Sequence, residues 1–363
     1  MINCNTQTPV VNSHTEWDPL EEVIIGNPEN AVFTLWDPID RIIFSEEDKK
    51  EIGKSITSGS PYPPEYIEAA KRDLAEFSHI LEAEGVIVRH IDVVDYATPF
   101  ATPDWKTPNG FSSTNPRDPF MVIGNEILET PMAVRSRYFE ARAYRRLFNE
   151  YFKAGAKWTS APKPLLLDEL YDPDYKKRVE KNGYAYVLTN FEPVFDAADF
   201  VRCGRDIFGQ LSHVTNQTGV DWLQRHLGDR YRIHLIQNRD PKAVHIDTAF
   251  MPLAPGKVLI SPEFVDVKSL PSILKSWEIL VAPQPVPYQA KPKIMSDWIS
   301  INTLMIDEKR IVVEKRQEPL IRALKEWGFD PIPCPFENHY PFEGGFHCAT
   351  LDIRRRGELQ SYF

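Results

Sequence analysis

The feature that most constrains this chain is a helical stretch that runs into a short apolar strand and then recurs along the sequence. In the first unit Ile67, Ala70, Leu74, Phe77 and Leu81 fall at helical spacing within residues 65–85, and Val86, Ile87 and Val88 follow. The second unit, residues 138–155, leads into Lys157, Trp158 and Thr159. The third, 220–228, leads into 231–236, and the fourth, 270–277, into 279–281. The fifth carries Leu320, Ile321, Leu324 and Trp327 before 329–332. Gly85, Gly155, Gly228 and Gly328 stand at four of the helix ends, where a left-handed cap favours a residue without Cβ. Further apolar runs at 23–26, 120–124, 257–260 and 310–313 read as buried strands.

Five α/β units of about 50 to 70 residues fit two architectures: radial repetition in a five-bladed α/β propeller, or an ordinary α/β sheet, in which strands and helices also alternate. Periodicity leaves both open. The 31 prolines punctuate the whole chain and no low-complexity segment marks a border, so one domain over residues 1–363 is expected. Residues 1–15 are expected to form a flexible tail, with Cys4 in it.

The formal net charge of −10 disfavours nucleic acid as a partner. No run approaches the roughly 18 apolar residues of a membrane span. The first residues lack the basic and then apolar regions of a secretory signal. Cys4, Cys203, Cys334 and Cys348 form no CxxC pair and no metal-ligand spacing. The expectation is a cytoplasmic protein with free thiols, no metal and no cofactor, acting on small molecules.

Three clusters set reactive side chains among apolar ones. The first, residues 192–200, holds Asp196 and Asp199 between aromatic and small residues. Buried carboxylates need a cationic partner or a function, although a lone Asp is more often a cap or a turn residue. The second is His245-Ile246-Asp247-Thr248. Read as a strand, it turns His245 and Asp247 to one face, a proton-transfer group beside a cation-binding one. The third is Gly344-Gly345-Phe346-His347-Cys348, where two glycines permit a bend that sets Cys348 at a cavity mouth. A thiol nucleophile, a histidine acid/base and several carboxylates together suit a planar cation such as a guanidinium. Cys203 and Cys334 read as core and structural thiols, and Arg354-Arg355-Arg356 as a surface or interface basic run.

At these residues the chain resembles the L-arginine amidinotransferases, the family of glycine amidinotransferase. The likeness runs through EWDPLEEVIIG from Glu16, NPRDPFMVIGNEILETPM from Asn115, and YFKAGAKWTSAPKP from Tyr151. It continues through EPVFDAADFVRCGRDIFGQ from Glu192, HIDTAF from His245, MIDEKR from Met305 and GGFHCATLDIRRRGELQSYF from Gly344. The resemblance implies the five-bladed α/β propeller of guanidine-modifying enzymes. It implies ping-pong transfer: arginine donates its amidino group to the cysteine, ornithine leaves, and an acceptor amine is amidinated. It carries the nucleophile onto Cys348, the catalytic histidine onto His245 and its orienting aspartate onto Asp196. Guanidinium-holding aspartates fall on Asp118 and Asp247, and a substrate-binding serine on Ser296.

Two positions depart from the glycine-using members. Phe264 stands where they carry a carboxylate-binding arginine, and Met295 replaces a serine. Without that fixed cation the expected acceptor is lysine or a toxin-precursor amine rather than glycine, as in bacterial members of secondary metabolism. A guanidine hydrolase or deiminase on the same fold is the alternative. A binding protein on a retained fold is a third reading; it predicts loss of at least one of Cys348, His245, Asp196, Asp247 and Asp118, and all are present. A homodimer is expected because dimers are common in such families.

Overall fold

The computed structural model describes residues 9–182 and 185–363, and its recurring element is a three-stranded sheet, five of which are present among those residues. In each, two strands pair antiparallel, joined by a short turn in four of the five, and one of them then pairs parallel with a third. Phe120–Ile123 pairs antiparallel with Glu126–Glu129, which runs parallel to Lys157–Ser160. Phe200–Cys203, Asp206–Gly209 and Arg232–Leu235 repeat the pattern, as do Phe250–Ala254, Lys257–Ile260 and Glu278–Val281. Leu304–Met305, Arg310–Glu314 and Asp330–Cys334 form a fourth copy. The fifth joins the two ends of the chain: Thr350–Arg355 pairs antiparallel with Leu20–Ile25, which runs parallel to Ile87–His90. A parallel third strand requires a crossover. Helices Pro64–Ala83, Arg145–Lys153, Gln217–Leu227 and Glu318–Glu326 supply it in four sheets.

The predicted strand runs therefore fall where the sequence placed them, and for a physical reason. The middle strands are buried along nearly all their length around apolar centres such as Ile127-Leu128 and Ile207-Phe208, whereas the third strands Ile87–His90, Arg232–Leu235 and Glu278–Val281 are exposed at both ends. The glycines after the helices adopt positive φ, from +62° at Gly228 to +106° at Gly155. Added Cβ atoms at Gly85, Gly155, Gly228 and Gly328 would meet nothing within 4 Å, so the requirement is conformational rather than spatial.

Three expectations are corrected. Residues 270–277 do not form an α-helix but two 3₁₀ turns, Val267–Ser269 and Ser272–Ser276. Pro271 holds Leu270 extended at φ −62°, ψ 143°, and a helix cannot run through that junction. Residues 9–15 are not a loose tail. Val11, Ser13 and Thr15 are buried, Asn12 N–H donates to the Ile353 carbonyl at 3.0 Å, and Ser13 N–H to that of Gly124 at 3.0 Å. The segment is tied down by main-chain bonds to different sheets. Residues 1–8, with Cys4, lie outside the described residues. The basic run at 354–356 is not uniformly at the surface. Arg355 is fully buried, bonding Asp352 at 2.7 Å and the Asp18 and Met305 carbonyls, while Arg356 is exposed.

Arg355 belongs to a buried charge network. Arg202 bonds both oxygens of Glu16 at 2.8 and 2.7 Å and reaches Asp352 at 2.8 Å, and Arg117 bonds Asp352 at 2.6 Å. These residues come from the N-terminal segment, the turn before Phe120–Ile123, the strand Phe200–Cys203 and the last strand, so paired charge joins elements far apart in sequence. Cys203 and Cys334 are buried free thiols. No described helix is long and apolar enough to cross a membrane.

Candidate active site

The repeat also delivers the reactive groups. A short turn precedes the first strand of every sheet, and each turn presents polar side chains. Asn115–Asp118 precedes Phe120–Ile123, and Asp196 opens the 3₁₀ turn Ala197–Asp199 before Phe200–Cys203. His245 opens Ile246–Thr248 before Phe250–Ala254, Asn302 precedes Leu304–Met305, and Cys348 precedes Thr350–Arg355. His245 and Asp247 thus lie in a turn, not in the expected strand. Both side chains reach Cys348 from that turn.

The turns meet at a cavity of about 500 Å³. Cys348, His245, Asp196, Asp118, Phe264, Met295 and Ser296 all line it. Asp247 sits against the thiol, with its Oδ2 3.3 Å from Cys348 Sγ. His245 Nε2 is 3.1 Å from Asp196 Oδ2, and its Nδ1 is 3.6 Å from Asp118 Oδ1. One donor atom each from Asp118, His245 and Cys348 lies within 4.8 Å of the others. Such a set suits a metal as well as a planar cation. Here Asp118 Oδ2 is already bonded by Arg137 at 2.9 Å, and the same guanidinium forks onto Glu140 at 2.7 and 2.9 Å. Asp118, Asp196 and Asp247 each keep one buried carboxylate oxygen with no hydrogen-bond partner. Buried acceptors without donors are costly, and a guanidinium offers donors in the plane of its charge.

Electrostatics sort these groups. Burial alone opposes a charged His245 ring, but Asp118 and the bond to Asp196 outweigh it and hold the imidazole protonated well above its ordinary range. Burial, reinforced by Asp247, pushes the Cys348 thiol up to about 12. Burial would raise Asp247 too, yet the bond from His347 holds it below the usual carboxylate range. Burial keeps Asp118 raised despite His245 and Arg137. These surroundings favour a neutral thiol beside an imidazolium, and a bound cation would shift the sulfur toward thiolate.

Several residues that complete the site were not singled out in the sequence. His347 is held at both ring nitrogens, by Asp247 at 2.7 Å and by Glu16 at 3.1 Å, which ties the site to the charge network. Asn302 Oδ1 accepts the backbone N–H groups of His347 and Cys348 at 2.9 and 3.2 Å, and its Nδ2 donates to Sγ at 3.1 Å. The paired glycines serve this approach and not a bend: added Cβ atoms would come within 2.2 Å of Asn115 at Gly344 and 2.6 Å of Asn302 at Gly345. Adjacency to Cys348 was a usable signal for His347. Nothing local to residue 302 marked Asn302. Ser296 caps a 3₁₀ turn by accepting Trp298 N–H, and Met295 offers its carbonyl to Tyr288.

Known proteins resemble this chain over nearly its whole length. No family model matches the chain. It is 46% identical over 357 residues to an L-arginine:L-lysine amidinotransferase of Pseudomonas savastanoi pv. phaseolicola, covering 98% of this chain and 97% of that protein. The mitochondrial glycine amidinotransferase of Xenopus tropicalis is 42% identical over 360 residues, covering 97% of this chain and 85% of that one. The chain belongs to the amidinotransferase family. Among solved structures, SxtG, an amidinotransferase of the saxitoxin biosynthetic pathway from Microseira wollei, superposes with a TM-score of 0.93. It is 59% identical, with 97% of this chain and 99% of that one covered. A dimethylarginine dimethylaminohydrolase, 11% identical at a TM-score of 0.58, shares the fold alone. The mixed α/β fold and the amidinotransferase class expected of the sequence both stand. Cys348 and His245 both line the cavity of this family member.

Proposed function

We propose that this amidinotransferase takes the amidino group of L-arginine on Cys348 and passes it to a primary amine other than glycine. The observation that carries this reading is the set of unpartnered oxygens of Asp118, Asp196 and Asp247 around the thiol. They provide acceptors on several sides of one flat cation, with Sγ beside its central carbon. Guanidinium binding, together with the His245 imidazolium, favours the thiolate. Sulfur bonds to the carbon, the carbon–Nε bond breaks, and His245 gives its proton to the departing ornithine nitrogen. Asp196 and Asp118 stabilise the imidazolium before that step. An acceptor amine then attacks the same carbon, its proton passes to His245, and the carbon–sulfur bond breaks.

Phe264 is buried in the cavity wall at the position that would otherwise bring a fixed cation, and Met295 also lines the cavity. With Ser296 they are the residues we assign to substrate fit. This argues against a short zwitterion such as glycine as acceptor. The same reading takes residues 1–363 as one domain, the five sheets as blades of a propeller around the site, the protein as cytoplasmic and the assembly as a homodimer.

Incubation with arginine alone should leave an amidino adduct on Cys348 by mass spectrometry and release one equivalent of ornithine. Continued ornithine release should require an amine. Steady urea or citrulline formation without any amine would instead make the protein a hydrolase, and an unmodified Cys348 would end the covalent scheme.

A further inference from the structure

One wall of the cavity is not used by the chemistry above. Asp40, Glu343 and Ser136 line it, and Asp37 stands behind them. Ser136 is buried, and its hydroxyl has no hydrogen-bond partner. Its backbone N–H donates to Asp37 at 3.0 Å, so the peptide is fixed, and the side chain borders the cavity close to the same carboxylate. Asp40 receives a bond from Thr34 Oγ1 at 3.2 Å. Glu343 sits at φ +66°, in the left-handed region a side chain rarely adopts, at the end of the turn Glu337–Phe342.

Among the described lining residues no lysine or arginine pairs directly with Asp40 or Glu343, and Arg137 and the His245 imidazolium act on Glu343 only through space. Of the lining residues, carboxylates outnumber lysines and arginines seven to three. All three bases are already engaged: Arg137 with Glu140 and Asp118, Lys242 with Asp48 at 2.8 Å, and Lys293 with Asp297 at 2.7 Å. Enclosure, with Asp37 and Glu343 nearby, pushes Asp40 well above the usual carboxylate range, and burial pushes Glu343 up to about 7. Crowded acids of this kind are relieved by an arriving positive charge. A zwitterionic end would bring a carboxylate into the same repulsion. An ammonium standing alone would not.

We propose that Asp40, Glu343 and the Ser136 hydroxyl form a cation subsite for the acceptor, holding a second positively charged group that has no carboxylate beside it. This rests on the amidino-transfer reading and narrows it: the acceptor is a dicationic amine, with one nitrogen at Cys348 and another positive group on this wall.

Equilibrium titration by calorimetry tests the subsite without turnover. The protein should bind 1,5-diaminopentane at least about tenfold tighter than pentylamine. Equal affinities would overturn the proposal, as would lysine binding as tightly as the diamine. Asp40→Asn and Glu343→Gln should each shrink the preference several-fold. Its survival in both would overturn the assignment of these side chains, and the wild-type comparison stands should either variant fail to fold. A weaker adduct from arginine in these variants, with that from 5-guanidinopentanoate unchanged, would move the subsite to the α-ammonium of the donor and overturn the acceptor assignment. Adduct formation on wild-type Cys348 with arginine alone reads the underlying reaction separately, so the two failures are distinguishable.

Discussion

The two sides of the cavity are built on opposite terms. Around Cys348 most charges have fixed partners: Asp247 with His347, His347 with Glu16, Glu16 with Arg202, and Arg202 with Asp352. On the wall of Asp40 and Glu343 carboxylates face one another, and the nearby lysines pair at the partly exposed rim. Paired buried charge is rigid because moving either partner strands the other. Unpaired carboxylates cost stability until a cation arrives. The first side sets where an atom must be for chemistry, and the second is arranged to receive something.

Substitutions sharpen that contrast in a graded way. Cys348→Ala should abolish both the adduct and ornithine release, because no other described thiol lies in the cavity. Measurable transfer by that variant would remove the nucleophile from the paired side. Arg202→Ala should destabilise the protein by about 3–5 kcal/mol, since it leaves Glu16 and Asp352 buried with one partner fewer. Denaturant unfolding would check it, and a loss under 1 kcal/mol would show that the network is not holding the sheets. Asp196→Asn should keep the fold and slow transfer about 100-fold, roughly 2.7 kcal/mol, through a less stabilised imidazolium. Its pH–rate profile should shift to lower pH on the side that reports His245.

The receiving side predicts the reverse sign for stability. Glu343 titrates near 7 in the folded protein, above the range of a free carboxyl. The folded state therefore binds more protons than the unfolded state between about pH 4.5 and 7, and stability falls as pH rises through that window. Glu343→Gln should raise the melting temperature more at pH 8 than at pH 5. A uniform shift would mean that this wall is not charged against itself. The smallest effect belongs to the rim. Lys242→Ala removes a half-exposed pair with Asp48 and should cost no more than about 1 kcal/mol, less at high salt.

Much of this was legible in one dimension because the repeat is local. Helix spacing, cap glycines and middle-strand runs each depend on neighbours a few residues away. Four of the five expected helices formed, and the fifth failed at Pro271, a signal present in the sequence but outvoted by apolar spacing. The site was legible in part. The reactive turns carry distinctive residues, while Asn302 and Arg137 look like ordinary polar residues until the fold sets them against Sγ and Asp118. The segment at 9–15 and the buried Arg355 misled because their partners lie hundreds of residues away.

The sequence by itself determined the kinds of groups available: one cavity thiol, its histidine, its aspartates, and the absence of an arginine at 264. The tertiary structure alone decided which of them are paired and which are left open. Charge pairing depends on distances between turns that precede different sheets, and a chain read residue by residue contains no such distances. That is why Cys348, His245 and their aspartates could be named from the sequence, while their partners His347, Glu16 and Asn302 and the wall of Asp40, Glu343 and Ser136 emerged only once the sheets were assembled around the cavity.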